Sequence, residues 1–273
     1  MTPDSAPRLS ARGLAAGYPG RRVIEGLDLE VAPGRMTMII GANACGKSTL
    51  LSVLARVNEP LGGTVALDDI DVSTLSRRRF AQTVGLLPQH PTAPDGLTVA
   101  ELVSRGRHPH RGVFQRWSAA DTSAVDDAMA KTGVAALADR PVGDLSGGQR
   151  QRVWIAMALA QEPRILLLDE PTTFLDLSHQ IEVLDLLRDL NRTDGTTIVV
   201  VLHELNLAAR YADELVVMSA GRVVAHGAPS DVLTSEIVAQ AFELEALVMP
   251  DPLTSTPLVI PIPRGAHAAA DEA

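Results

Sequence analysis

The chain has 273 residues, 46% of them hydrophobic, a formal net charge of −9 and one cysteine. That length and apolar content suit one large α/β domain or two modest ones, and the lone cysteine excludes an internal disulfide framework and suits a reducing cytosol. The acidic balance argues against nucleic acid or an anionic lipid surface as the main partner. No stretch approaches the ~20 apolar residues of a membrane span, and residues 1–12 carry no apolar run of a secretory leader. The expectation is a cytosolic protein that reaches a membrane only through another protein.

In chain order, residues 9–31 and 62–67 are predicted to form short strands of a small antiparallel layer. Four unalternating apolar runs, at 36–40, 84–87, 165–168 and 198–202, read as fully buried parallel strands. Each delivers a polar group at once: the loop from Gly41, then Gln89, the Asp169–Glu170 pair and His203. Ligands of open α/β sheets sit at the carboxyl ends of the strands, so the four groups are predicted to meet there. Between Gln89 and Leu145, after Pro91, Pro94 and Gly96, residues 99–106 and 119–133 read as helices of an insert, placed at about 92–160. Residues 214–218 and 222–225 flank Ser219-Ala220-Gly221 as a hairpin. The alanine-rich tail, 264–273, is expected to be disordered.

Gly41-Ala42-Asn43-Ala44-Cys45-Gly46-Lys47-Ser48 fits the phosphate-loop pattern between a strand and a helix. Successive backbone N–H groups and the helix N-terminus would cradle phosphates, Lys47 would reach the β- and γ-phosphates, and Ser48 would ligate Mg²⁺. The chain has only two lysines, Lys47 and Lys131, so one at the key position is not incidental. At Ala44 a strained backbone would cost roughly 1 kcal/mol that glycine would not. Cys45 reads as a small loop residue rather than a reactive thiol.

Asp169 and Glu170 end a buried strand, where two unpartnered carboxylates would be expensive. Mg²⁺ near Asp169 offsets that, leaving Glu170 to take a proton from attacking water. Gln89 is read as orienting water or completing the metal shell, and His203 as touching the γ-phosphate. Leu145-Ser146-Gly147-Gly148-Gln149 then opens a helix with Val153, Ala156, Met157 and Ala160 on one apolar face. It is a second glycine-rich helix N-terminus suited to anions, and the first already serves the chain's own nucleotide.

At these residues the sequence resembles the ATP-binding cassette family, over residues 8–263 as a single ATPase domain. Leu145 to Gln149 match the family signature, Tyr18 the aromatic that stacks on adenine, and Gln89 the Q-loop. Asp169 and Glu170 match the Walker B acids, Leu175-Asp176 the D-loop, and His203 the switch histidine. The phosphate loop, extended to Thr49, completes the nucleotide contacts. The resemblance implies an α/β P-loop core with a mostly parallel sheet, an antiparallel layer and a helical insert. It also implies a head-to-tail homodimer in which each Ser146–Gln149 segment caps the ATP on the opposite Lys47. The insert would dock an integral membrane permease at the cytoplasmic face of the inner membrane, fed by an extracytoplasmic substrate-binding protein.

Within the family, Gly106-Arg107-His108-Pro109-His110, the runs 137–140, 171–180 and 202–213, and Asp251-Pro252 with Pro257 resemble ATPase subunits of ferric-siderophore, haem and cobalamin importers. Ferric siderophore is the expected cargo, with haem or cobalamin the alternative. Arg107, His108 and His110 carry no carboxylate or cysteine at ligand spacing and do not read as a metal site. A soluble ABC ATPase of ribosomes or DNA repair is the competing class. One signature, no heptads and an acidic balance favour the transporter subunit.

Overall fold

The computed structural model describes residues 6–112 and 115–263. Strands β1 (Leu9–Tyr18) and β2 (Arg21–Val31) pair across the Pro19-Gly20 turn, where Gly20 takes a φ of 79°. They are longer than the short strands expected. Register shifts along β1 break the ladder into bulged pieces, which let a long hairpin curl. After β3 (Met36–Gly41) and helix α1 (Lys47–Leu54), strands β4 (Gly62–Leu67) and β5 (Ile70–Asp71) complete a four-stranded antiparallel sheet, β2-β1-β4-β5.

The short helix α2 (Arg77–Ala81) leads into β6 (Val84–Leu87). The helical insert comes next: α3 (Val99–Ser104), a 3₁₀ stretch Arg105–His110, α4 (Ala119–Lys131) and α5 (Gly147–Ala160). All three α-helices open on a reciprocal capping box, Thr98 with Glu101, Ser118 with Asp121 and Ser146 with Gln149. Arg107 is buried. Its Nε donates to Asp121 Oδ1 at 3.0 Å and its Nη1 to Glu162 Oε2 at 2.6 Å and Ala160 O at 2.7 Å, bolting the 3₁₀ stretch to α4 and to the end of α5. Nor is α5 apolar on one face only, since Trp154, Ile155 and Ala158 are buried as well.

Strand β7 (Ile165–Asp169), helix α6 (Leu177–Asp194), strand β8 (Thr197–Val201), helix α7 (Leu205–Tyr211) and strands β9 (Glu214–Ser219) and β10 (Arg222–Gly227) build the second sheet, β10-β9-β3-β8-β7-β6. It is parallel except for β10. Its apolar runs resolve into two alternating sets, as the two-residue period of a strand requires. Ile39, Leu167, Val199 and Val201 face α1 and the antiparallel sheet, whereas Met38, Leu166, Leu168, Ile198 and Val200 face the helices. A sheet covered on both sides therefore has no polar face to show in its sequence. Helices α8 (Pro229–Val232) and α9 (Ser235–Phe242) precede a closing hairpin, β11 (Ala246–Pro250) and β12 (Pro257–Pro261). It is tied to α7 by Asn206 and Val259, at 2.8 and 3.1 Å, and by Arg210 and Asp251 at 2.5 Å. The expected disorder of 264–273 lies outside the described residues.

Candidate nucleotide site

The four strands nominated for their polar ends lie side by side as β3, β8, β7 and β6, so the groups at their ends converge on one edge. The loop after β3 needs its glycines. A Cβ on Gly41 would fall 2.2 Å from Met218 O and 2.8 Å from Cys45 Sγ, and Gly46 caps α1 at a φ of 107°. Ala44 takes a φ of 60°, so the loop makes its left-handed turn and bears the strain rather than relaxing it. Lys47 is buried and folds back, its Nζ donating to Gly41 O at 2.9 Å and Ala42 O at 3.0 Å. Burial pushes the Cys45 thiol up, which keeps it protonated as packing beneath the loop.

Ser48 Oγ donates to Asp169 Oδ1 at 3.0 Å, joining α1 to the end of β7. Burial pushes the Asp169 carboxyl above the usual carboxylate range, and the neighbouring Glu170 adds to this against Ser48 and Lys47. Glu170 sits at a φ of 50° with its N–H bonded to Val201 O at 3.2 Å. That turn aims its carboxylate across three strand ends. Gln89 Nε2 donates to Glu170 Oε2 at 2.6 Å, Thr173 Oγ1 donates to the same oxygen at 3.1 Å, and His203 Nε2 pairs with Oε1.

These groups border a cavity of about 510 Å³. Ala44, Gly46, Lys47, Ser48 and Thr49 form its floor with Asn43; Tyr18, Arg21 and Val23 stand on one side and Gln89, Glu170 and His203 on the other. Tyr18 is 55% exposed and lines the same cavity, which leaves aromatic surface free of protein contact. A larger cavity, about 640 Å³, lies at the opposite end of the sheet beside Gly34, Arg164 and Thr196, the residues leading into β3, β7 and β8. It lacks the glycine loop and the acid pair, so the chemistry belongs to the smaller one. Among the described residues no cluster of three or more His, Cys, Asp and Glu is placed to hold a metal. The Ser48 hydroxyl and the half-buried Asp169 carboxylate are joined, and Gln89 lines the same cavity; hydroxyl, carboxylate and amide oxygens are hard donors of the kind Mg²⁺ takes together with phosphate oxygens.

Asp169, Gly41 and Cys45 are not part of this lining. The structure does not bring Ser146, Gly147, Gly148 or Gln149 to it. Ser146 Oγ accepts from Gln149 N at 3.3 Å and Ser146 N donates to Gln149 Oε1 at 3.1 Å, while Ser146 and Gly147 face outward, exposed. Sequence reasoning passed over Arg21 and Thr173. The first is readable only once the hairpin register sets it opposite Tyr18, and the second only from the turn that folds residue 173 back on residue 170.

Residues 24–173 match the family model described as ABC transporter. The achromobactin transport ATP-binding protein of Dickeya dadantii is 50% identical over 94% of this chain and 95% of its own length. The ferric enterobactin transport ATP-binding protein of Escherichia coli is 48% identical over 98% of this chain and 99% of its own. A cobalamin import ATP-binding protein of Halobacterium salinarum stands further off, at 42% identity over 96% of this chain and 66% of its own. Among solved structures, an inward-facing conformation of a metal-chelate type ABC transporter superposes with a TM-score of 0.82 at 29% identity, covering 95% of this chain and 98% of the other.

Proposed function

The chain belongs to the ABC transporter family as an ATP-binding, ATP-hydrolysing importer subunit, and from that premise we propose a nucleotide site shared between two copies that powers ferric-siderophore uptake. One observation carries the shared site. The chain holds two glycine-rich helix N-termini, before α1 and before α5, and only the first borders its own cavity. A second anion cradle facing outward is complete only on another copy's nucleotide.

In this reading residues 8–263 act as one ATPase domain, with the insert at about 92–160. The phosphate loop from Gly41 to Thr49 holds the phosphates through backbone N–H groups and Lys47, and Tyr18 stacks on the adenine. Ser48, Asp169 and Gln89 hold Mg²⁺, which when bound neutralises charge on the phosphate oxygens. Glu170 accepts the proton of the attacking water, and His203 touches the γ-phosphate. Ser146 to Gln149 close over the partner copy's ATP. No helix among the described residues is long and apolar enough to cross a membrane. We place the protein at the cytoplasmic face of the inner membrane, peripheral to an integral permease that a substrate-binding protein supplies from outside. Nucleic acid has no part in it.

The cargo rests on the siderophore transport relatives at 48–50% identity over nearly the whole chain, against 42% for the cobalamin relative. Deleting the gene should slow growth under iron limitation, with rescue by excess iron and not by cobalamin. Uptake of labelled ferric siderophore should return with the intact gene but not with a Lys47→Ala copy. Unchanged iron uptake beside a collapse of haem or cobalamin uptake would overturn the cargo and leave the ATPase standing.

A further inference from the structure

Gly148 lies in the turn that opens α5, and it is buried under a side chain from α6. A Cβ built on Gly148 would fall 2.5 Å from Cδ2, 3.1 Å from Cγ and 3.2 Å from Nε2 of His179. The imidazole fills the space that any side chain at 148 would need, so ring and backbone are in direct contact. The ring is in turn fixed from behind. Asp176 Oδ1 accepts from His179 Nδ1 at 2.6 Å, from the His179 backbone N–H at 3.0 Å and from Ser178 Oγ at 2.8 Å.

The backbone N–H of His179 first, then the Ser178 hydroxyl, hold the Asp176 carboxyl down to about 2. At neutral pH that oxygen only accepts, so Nδ1 carries the hydrogen and the ring orientation is set. Leu175 meets the same turn, with Cδ2 3.7 Å from where a Cβ of Gly147 would lie. Two residues earlier Thr173 donates to Glu170. The segment 170–179 therefore runs from the carboxylate of the chain's own site to the outward cradle before α5.

We propose that His179 is a positioning residue for the Ser146–Gln149 turn, holding it, through the Asp176 bond behind and the Gly148 contact in front, in the orientation from which it closes on the partner copy's ATP. This rests on the shared-site reading above. The conservative partner is Asn, whose Nδ2 reaches Asp176 where Nδ1 does; Leu fills the volume and donates nothing.

In the full chain, His179→Leu should leave monomer ATP affinity within about twofold while kcat falls about tenfold or more, because misplacing a positioned group costs rate steeply. His179→Asn should recover most of that kcat. Mixing His179→Leu with Lys47→Ala should restore nucleotide capture at the one shared site built from the first variant's Lys47 and the second's signature turn. A Leu variant that hydrolyses normally, one that loses monomer ATP affinity, or an Asn variant no better than Leu would each overturn the role of His179. The reference mixture of Ser146→Arg with Lys47→Ala separates the two ideas. If that pair regains no capture, the shared site itself falls; if it does and His179→Leu is fully active, only His179 falls.

Discussion

Glu170→Gln keeps the shape of the side chain and removes its basicity. The backbone turn at a φ of 50° is untouched, since both residues carry the same Cβ and stem. The amide oxygen still accepts from Thr173 and Gln89, which now reach Glu170 at 3.1 and 2.6 Å, though without the added strength of a charged acceptor. The proton acceptor for water is lost, and general-base catalysis contributes about 10²–10⁴-fold, or roughly 2.7–5.4 kcal/mol of barrier. Lys47 and the loop, the proposed phosphate contacts, form the floor of the cavity and not the wall that carries Glu170, so ATP affinity should stay within about twofold. Steady-state phosphate release and equilibrium binding of a fluorescent ATP analogue read the two quantities separately. Turnover within about tenfold of the unmodified protein would refute the assignment of Glu170 as base, as too small a loss for that role.

Ala44→Gly should stabilise the protein. It relieves about 1–2 kcal/mol of left-handed strain against the extra freedom of glycine in the unfolded chain, a net of about 0.5–1 kcal/mol and a Tm rise of roughly 1–4 °C; a lower Tm would contradict it. Asp169→Asn should abolish Mg²⁺-dependent hydrolysis yet stabilise the magnesium-free protein at neutral pH. Because burial raises the folded carboxyl's pKa, ionisation works against folding. The gain should be full above the folded pKa and vanish as pH falls below the unfolded value, where Asp and Asn are alike. Thermal melts across pH that show the opposite slope would refute it.

Much of this site was legible in the sequence because strands buried on both faces announce themselves as short apolar runs, and the polar groups at their carboxyl ends must lie at one edge of the sheet. Gly41, Gln89, Glu170 and His203 are found that way. The capping box of Ser146 and Gln149 is likewise local, three residues apart. The contacts that escaped depend on distance or on a rare backbone state. The ion pairs of the buried Arg107 escaped because Asp121 and Glu162, its partners, lie 14 or more residues along the chain. Thr173 meets Glu170 only because residue 170 turns left-handed, and His179 meets Gly148 only because α6 packs against the start of α5. The C-terminal hairpin showed in advance only as Asp251, Pro252 and Pro257. Asp251 then serves as a cap for its own turn, accepting from Leu253 N at 2.8 Å, and as the anchor of Arg210.

The shared site is tested most directly by complementation between two inactive variants. Ser146→Arg gives up a helix cap, which costs about 1 kcal/mol, and its bulky side chain would fill the place proposed for the partner's γ-phosphate, while leaving its own phosphate loop intact. Lys47→Ala does the reverse. Each alone should fail to trap ATP in a dimer, and Ser146→Arg should still bind ATP as a monomer. Mixed, they should form a heterodimer that traps ATP at one site, counted as one nucleotide per dimer on size exclusion. A mixture that traps none, or a Ser146→Arg monomer that no longer binds ATP, would contradict the account.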